Sequence, residues 1–172
     1  SSTTQVSFAQ NQATSQKVTG EIWRYTGSSG GADEFIVRGR HTITLTSTTS
    51  GSVAVSGISD VDKCIPFFTG ATQTANTVND FDASTVAVWL DSSGNIQVER
   101  GSGTGTLVVY VTVVEFTGVN WKVGHALSAS HDSTTETVTM NTASTGTGGS
   151  TFDVGSWEKA MIIEGSLEGD TS

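Results

Sequence analysis

The chain is poor in the residues on which most protein chemistry depends. It has one cysteine, Cys64, so no disulfide can form within a chain of 172 residues. The neighbours of Cys64, in the run KCIPFF, are apolar, which reads as a small buried hydrophobe and not as an activated thiol. Lys and Arg together number 8 against 17 acidic residues, a net charge of −9. No basic cluster exceeds Arg38 with Arg40, which excludes neutralising a phosphate backbone and disfavours an anionic membrane surface. No apolar run reaches the ~18 residues of a membrane span. The first 17 residues lack the charged-then-apolar pattern of a secretory leader; they read as a mature end, an extended arm or a linker. Pro66 is the single proline, and charged residues make up only 15% of the chain.

What covers the surface instead is Ser, Thr, Gly, Asn and Gln. Threonine fits a pleated strand because its branched Cβ restricts χ1. Strict alternation follows, as in HTITLT at 41–46, SVAVS at 52–56, TVAVWL at 85–90 and NIQVER at 95–100. The last two flank Asp91-Ser92-Ser93-Gly94, a hairpin turn. TLVVYVTVVEF at 106–116 is unbroken and apolar enough to be a central strand partly covered on both faces. Further strands are predicted at 119–123, 135–140 and 157–163. Helical periodicity is absent; residues 60–63 and 156–159 can supply a single turn at most. Glycine-rich breaks at 27–31, 101–105 and 146–149 mark loops. The expected fold is all-β, an antiparallel sandwich or barrel-like module, single or in tandem. The boundaries read as an arm or linker over 1–17, a main module over 18–127, and further strands over 128–172 that open a second module.

A weak internal repeat supports the tandem reading. ISDVDKCI at 58–65 resembles VGSWEKAM at 154–161, about 96 residues later. TITL at 42–45 resembles TVTM at 137–140 at nearly the same spacing, and IWRYTG at 22–27 resembles VVEFTG at 113–118. On this reading the chain opens on the tail of one unit, runs through a complete one and enters a third, with the remainder of that unit expected after Ser172.

A search for reactive constellations yields no convergent set. His41, His125 and His131 have no metal-site spacing and read as exposed loop residues. Asp60, Asp62, Asp80 and Asp82 make two DxD pairs, far short of a calcium loop. Gly101-Ser102-Gly103-Thr104-Gly105 lacks the Lys and helix of a phosphate loop. Glu115 borders a hydrophobic run with Arg100 available across the presumed hairpin, so a structural Arg100–Glu115 ion pair is predicted. Of four tryptophans, Trp89 in VAVWL is assigned to the core, while Trp23, Trp121 and Trp157 are candidates for stacking on a glycan, with packing as the plainer role. No catalytic, cofactor or metal residue is assigned, and no enzyme is expected.

The run VER at 98–100, a Gly/Ser loop, VYVTVVEF at 109–116 and VNWKVG at 119–124 resembles modules of tailed-phage and prophage virion proteins. IVRG at 36–39, followed by Thr-rich alternation, fits the start of such a module. The resemblance spans roughly residues 35–163 and rests on strand-like motifs of low complexity. It implies a β-sandwich, no catalytic residues, and a place in a virion assembled in the host cytoplasm, as capsid decoration or part of a tail fibre or tail tip. Expected partners are copies of the same chain, as a trimer, and the major capsid or tail protein; nucleic acid and membrane are not expected. Two other readings stand beside it: a carbohydrate-binding adhesin module of a tail fibre, and a bacterial surface or filament β-module with an extracellular or cell-surface location.

Overall fold

The computed structural model of the chain describes residues 22–74, 83–127, 138–146 and 148–163. Six strands form two three-stranded antiparallel sheets, and no α-helix occurs among the described residues. The strands are β1 (Ile36–Thr46), β2 (Ser50–Ala54), β3 (Cys64–Thr74), β4 (Ala87–Leu90), β5 (Asn95–Glu99) and β6 (Thr106–Glu115). One sheet has the order β1-β6-β3 and the other β2-β5-β4. Neither sheet closes on itself, so the module is sandwich-like.

The predicted central strand is central: β6 pairs with β1 on one side and β3 on the other. Its alternate side chains Leu107, Val109, Val111 and Val113 point inward with Ile43 and Leu45 of β1 and Cys64 of β3. Opposing them are Val88 and Leu90 of β4 and Ile96 and Val98 of β5, with Val86 just before β4. Each buried branched side chain contributes roughly 1.5–3 kcal/mol relative to exposure, so this one layer dominates the module's stability. The period of two places Trp89 opposite in phase to Val88 and Leu90. It is therefore half-buried on the outer face of its sheet and not in the core as predicted.

Among the described residues, only β4 and β5 form a hairpin within a sheet. The turn is as predicted: the Gly94 amide donates to the Asp91 carbonyl (3.0 Å), and Gly94 supplies the positive φ of 79°. The Asp91 carboxylate accepts from the Ser93 and Asn95 amides and from the Asn95 and Gln97 side chains, at 2.8–2.9 Å. Desolvation pushes this carboxyl up, but the hydrogen bonds from Asn95, Gln97 and Ser93 outweigh it and hold the carboxyl below its ordinary value.

Two predicted strands are not found, and a third lies partly outside the described residues. Residues 119–123 form a turn and irregular chain, because Gly118 abuts the Ala32–Asp33 backbone and the Asn120 amide donates to the Ala32 carbonyl (3.0 Å). Of the strand predicted over 135–140, residues 135–137 lie outside the described ones, and 138–140 lead into isolated bridges from Asn141 to His125 and Thr151. At Trp157–Lys159 a single 3-10 turn stands where a strand was predicted, and 160–163 run on without pairing. The two places given a single turn at most each hold one, at Val61–Lys63 and Trp157–Lys159.

Candidate functional site: two charged corners and an aromatic end

The strand β6 carries a buried charge at each end, and the two do not meet. β5 and β6 belong to different sheets, so the link between them is a crossover and not a hairpin. Arg100 lies beside the start of β6 and Glu115 ends it, about 30 Å away at the usual rise per residue. The predicted Arg100–Glu115 pair is thereby corrected: Glu115 pairs with Arg38, Nε to Oε2 at 2.6 Å.

Arg38 reaches Glu115 through a bulge. The pairing of β1 with β6 skips from Val37↔Val114 to Gly39↔Val113, leaving Arg38 as the extra residue. A bulge re-aims the side chain of its unpaired residue, here toward the buried end of β6. Glu115 also accepts from the Ser59 amide (3.1 Å) and the Asp60 amide (2.8 Å), and Arg38 Nη2 donates to Ser59 Oγ (3.1 Å). The carboxylate thus seals the entrance to the first 3-10 turn. A glycine inside an alternating strand, Gly39 after Arg38, was the sequence signal for this bulge; the signal is weak because a lone strand glycine has several readings.

Beyond that turn, the network reaches the C-terminal segment. Asp62 accepts from the Ser144 amide through Oδ1 (2.8 Å), and the Asp62 carbonyl lies 3.0 Å from His125 Nε2. Asp60 caps its own turn by accepting from the Asp62 amide (3.1 Å). These two aspartates therefore bind backbone amides; Asp80 and Asp82 lie outside the described residues. Of the histidines read as exposed loop residues, His41 is instead a half-buried β1 residue whose Nε2 has no hydrogen-bond partner, and His125 is half-buried against the turn. His131 lies outside the described residues. Cys64, buried behind the same corner, has its thiol pushed up to about 12, first by burial and then by the Glu115 charge.

At the other end Arg100 is fully buried among chain crossovers. Nε donates to Thr48 O (2.8 Å), Nη1 to Ala83 O and Thr104 O (both 3.1 Å), and Nη2 to Gly105 O (3.1 Å). One guanidinium thus ties the β1–β2 turn, the approach to β4 and the β5–β6 loop together. The Gly/Ser loop that superficially resembles a phosphate loop is in fact held by this arginine.

Past Glu115, an aromatic row runs to the surface. Tyr25 meets Phe35 edge-on (6.3 Å between centroids), Phe35 meets Phe116 (6.1 Å), and Phe116 meets Trp121 (4.9 Å). Trp121 stays 39% exposed, next to Asn120, whose side-chain amide donates to Asp33 (3.0 Å). Trp23 is more exposed still, and the Trp157 side chain lies outside what is described. Several large apolar side chains besides Trp121 are exposed: Ile22, Trp23, Val119, Met161 and Ile162 all stand in solvent.

What the fold and these corners define is an antiparallel, two-sheet β-module braced by buried ion and backbone contacts. No family model, curated protein or solved structure matches the chain.

Proposed function

We propose that this chain is a non-catalytic structural protein of a tailed-phage virion, decorating the capsid or forming part of the tail. The observation that carries this reading is the set of large apolar side chains left in solvent by an otherwise well-packed module, Ile22, Trp23, Val119 and Ile162 foremost. Single exposed apolar residues are ordinary, but this many on a small β-module, those four more than half exposed, suit surfaces covered in an assembly. Low charge density and Thr-rich outer faces suit close packing of identical copies, and a closed homo-oligomer such as a trimer satisfies such a surface. The virion location rests on the resemblance of VYVTVVEF and VNWKVG to phage modules. Immunogold electron microscopy with an antibody to this chain tests it. Label over icosahedral heads or on tails supports the reading; label on cells or filaments alone moves the chain to the bacterial surface class.

A second reading draws on Trp121. Its exposed ring, supported from behind by Phe116 and flanked by the Asn120–Asp33 pair, offers an apolar face beside polar groups, the chemistry that stacks on a sugar ring. Binding to immobilised glycans that disappears in Trp121→Ala favours an adhesin role; no binding by the unaltered chain removes it.

A further inference from the structure

The internal repeat is matched in three dimensions at a place where chance resemblance between strands has no bearing. ISDVDKCI and VGSWEKAM align so that the 3-10 turn Val61–Lys63 falls on the 3-10 turn Trp157–Lys159. The closing hydrogen bonds correspond too: Lys63 N to Asp60 O at 3.2 Å, and Lys159 N to Ser156 O at 3.1 Å. Residues 160–163 therefore stand where β3 begins in the module. Likewise IWRYTG at 22–27 stands where β6 ends, by its likeness to VVEFTG at 113–118.

In the module these two pieces pair. β3 lies antiparallel to β6 with Pro66↔Val113, Ile65↔Val114 and Cys64↔Glu115. Carrying this register across the repeat sets Ile22 opposite Ile162, Trp23 opposite Met161 and Arg24 opposite Ala160. The first four are among the most exposed large apolar residues of the chain: Ile22 76%, Trp23 54%, Met161 64% and Ile162 77%. Among the described residues, neither segment takes part in a ladder. A β6-like end and a β3-like start thus each lie open, with the side chains that would face each other exposed.

We propose that the segment from Ile22 of one copy pairs, antiparallel and in this register, with residues 160–163 of a second copy. The contact is heterologous, head to tail, so repeated copies close into a ring or extend as a filament. The main departure from the repeat is consistent with it. Glu115 seals the Ser59 and Asp60 amides of the first turn, whereas Arg24 stands in its place. The corresponding amides of the second turn are already satisfied, Gly155 N by Asp153 Oδ1 and Ser156 N by Val154 O, both at 2.8 Å. No carboxylate from the facing strand is needed there, because Asp153 and the backbone already supply the acceptors. The paired segments are short, well below the ~800 Å² per partner of a stable interface, so the contact is weak in dilute solution and gains where many copies are arrayed. The inference rests on the repeat and the register, and holds or fails independently of a virion location.

The test is register-specific cross-linking of the full chain. Trp23→Cys and Met161→Cys variants are prepared separately, mixed and oxidised; directly opposite strand residues lie within disulfide reach. Both positions are exposed, so folding is not at issue, and native Cys64 is buried with its thiol pushed up to about 12. A species of twice the chain mass in the mixture, and in neither variant alone, supports the proposal. Three results overturn it: no cross-link in the mixture, an equal yield when Ile163→Cys replaces Met161→Cys, or a double variant that cross-links only within one chain.

Discussion

The two ends of β6 solve the same problem with opposite charges. At both, the chain passes between sheets and leaves backbone groups outside the strand ladders, though Gly105 O also accepts from the Ser47 amide (3.0 Å). At the start of β6 these are carbonyls, those of Thr48, Ala83, Thr104 and Gly105, and a buried guanidinium gathers all four. At the end they are amides, those of Ser59 and Asp60, and a buried carboxylate takes both while pairing with Arg38. The difference lies in reach. Arg100 alone has enough donors, in a fixed fork, to bind several loops. Glu115 can only accept, so its corner needs a second side chain, and through the turn at Asp62 it connects onward to the C-terminal segment. One corner is a closed brace; the other is a junction.

The largest effect is expected from Arg100→Met, which keeps the stem and removes every donor. Four carbonyls then lose a charge-assisted partner, a cost of about 4 kcal/mol. Urea unfolding measures it, and a loss below that of any Glu115 substitution would reverse the ranking of the two corners. Glu115→Gln removes one charge of a buried pair and leaves Arg38 uncompensated, for about 3 kcal/mol. Adding Arg38→Met to that variant should recover part of the loss, because the stranded cation goes with it; a fully additive double variant would show that the pair is not coupled.

Smaller effects separate junction from brace. Asp62→Ala removes the acceptor of the Ser144 amide, so amide exchange at 141–146 should quicken by an amount equivalent to about 1 kcal/mol while β6 exchange stays unchanged. Equal quickening in both would mean that the C-terminal segment and the module open together. The smallest effect belongs to Asp91. Its carboxyl is held below the ordinary value, so its stabilising contribution is present above that value and is lost as pH falls through the depressed folded value. Asp91→Asn should lower stability near neutrality, by under about 1 kcal/mol at this exposed turn, and converge on the unaltered protein in acid. A difference between the two that is independent of pH would assign the turn's strength to shape and not to charge.

Much of this was legible in the residues. Alternation located β1, β2, β4 and β5 in part or whole, the unbroken TLVVYVTVVEF marked the central strand, and Asp91-Ser92-Ser93-Gly94 gave a turn; β3, whose CIPFFTGATQT does not alternate, carried no such signal. The errors have physical causes. Trp89 was assigned to the core on hydrophobicity, but its phase in the strand is that of the outer face. Val119–Val123 alternates like a strand yet is held as a loop by Gly118 and Asn120 against Ala32 and Asp33, the Asn120–Asp33 hydrogen bond joining residues 87 apart. Nearness in sequence favours Arg100 as the partner of Glu115, whereas the β1 bulge, which depends on strand pairing, delivers Arg38.

The sequence by itself determined the all-β class, the phase of the alternating strands and their inward set of Ile, Leu and Val, because a period of two and branched side chains act residue by residue. It also carried the repeat, since that is a property of order along the chain. Only the tertiary structure decided which sheet each strand joins, which arginine meets Glu115, and that Ile22, Trp23, Met161 and Ile162 remain uncovered. Those outcomes depend on which distant segments lie side by side, and local preference holds no information about that until the sheets have packed.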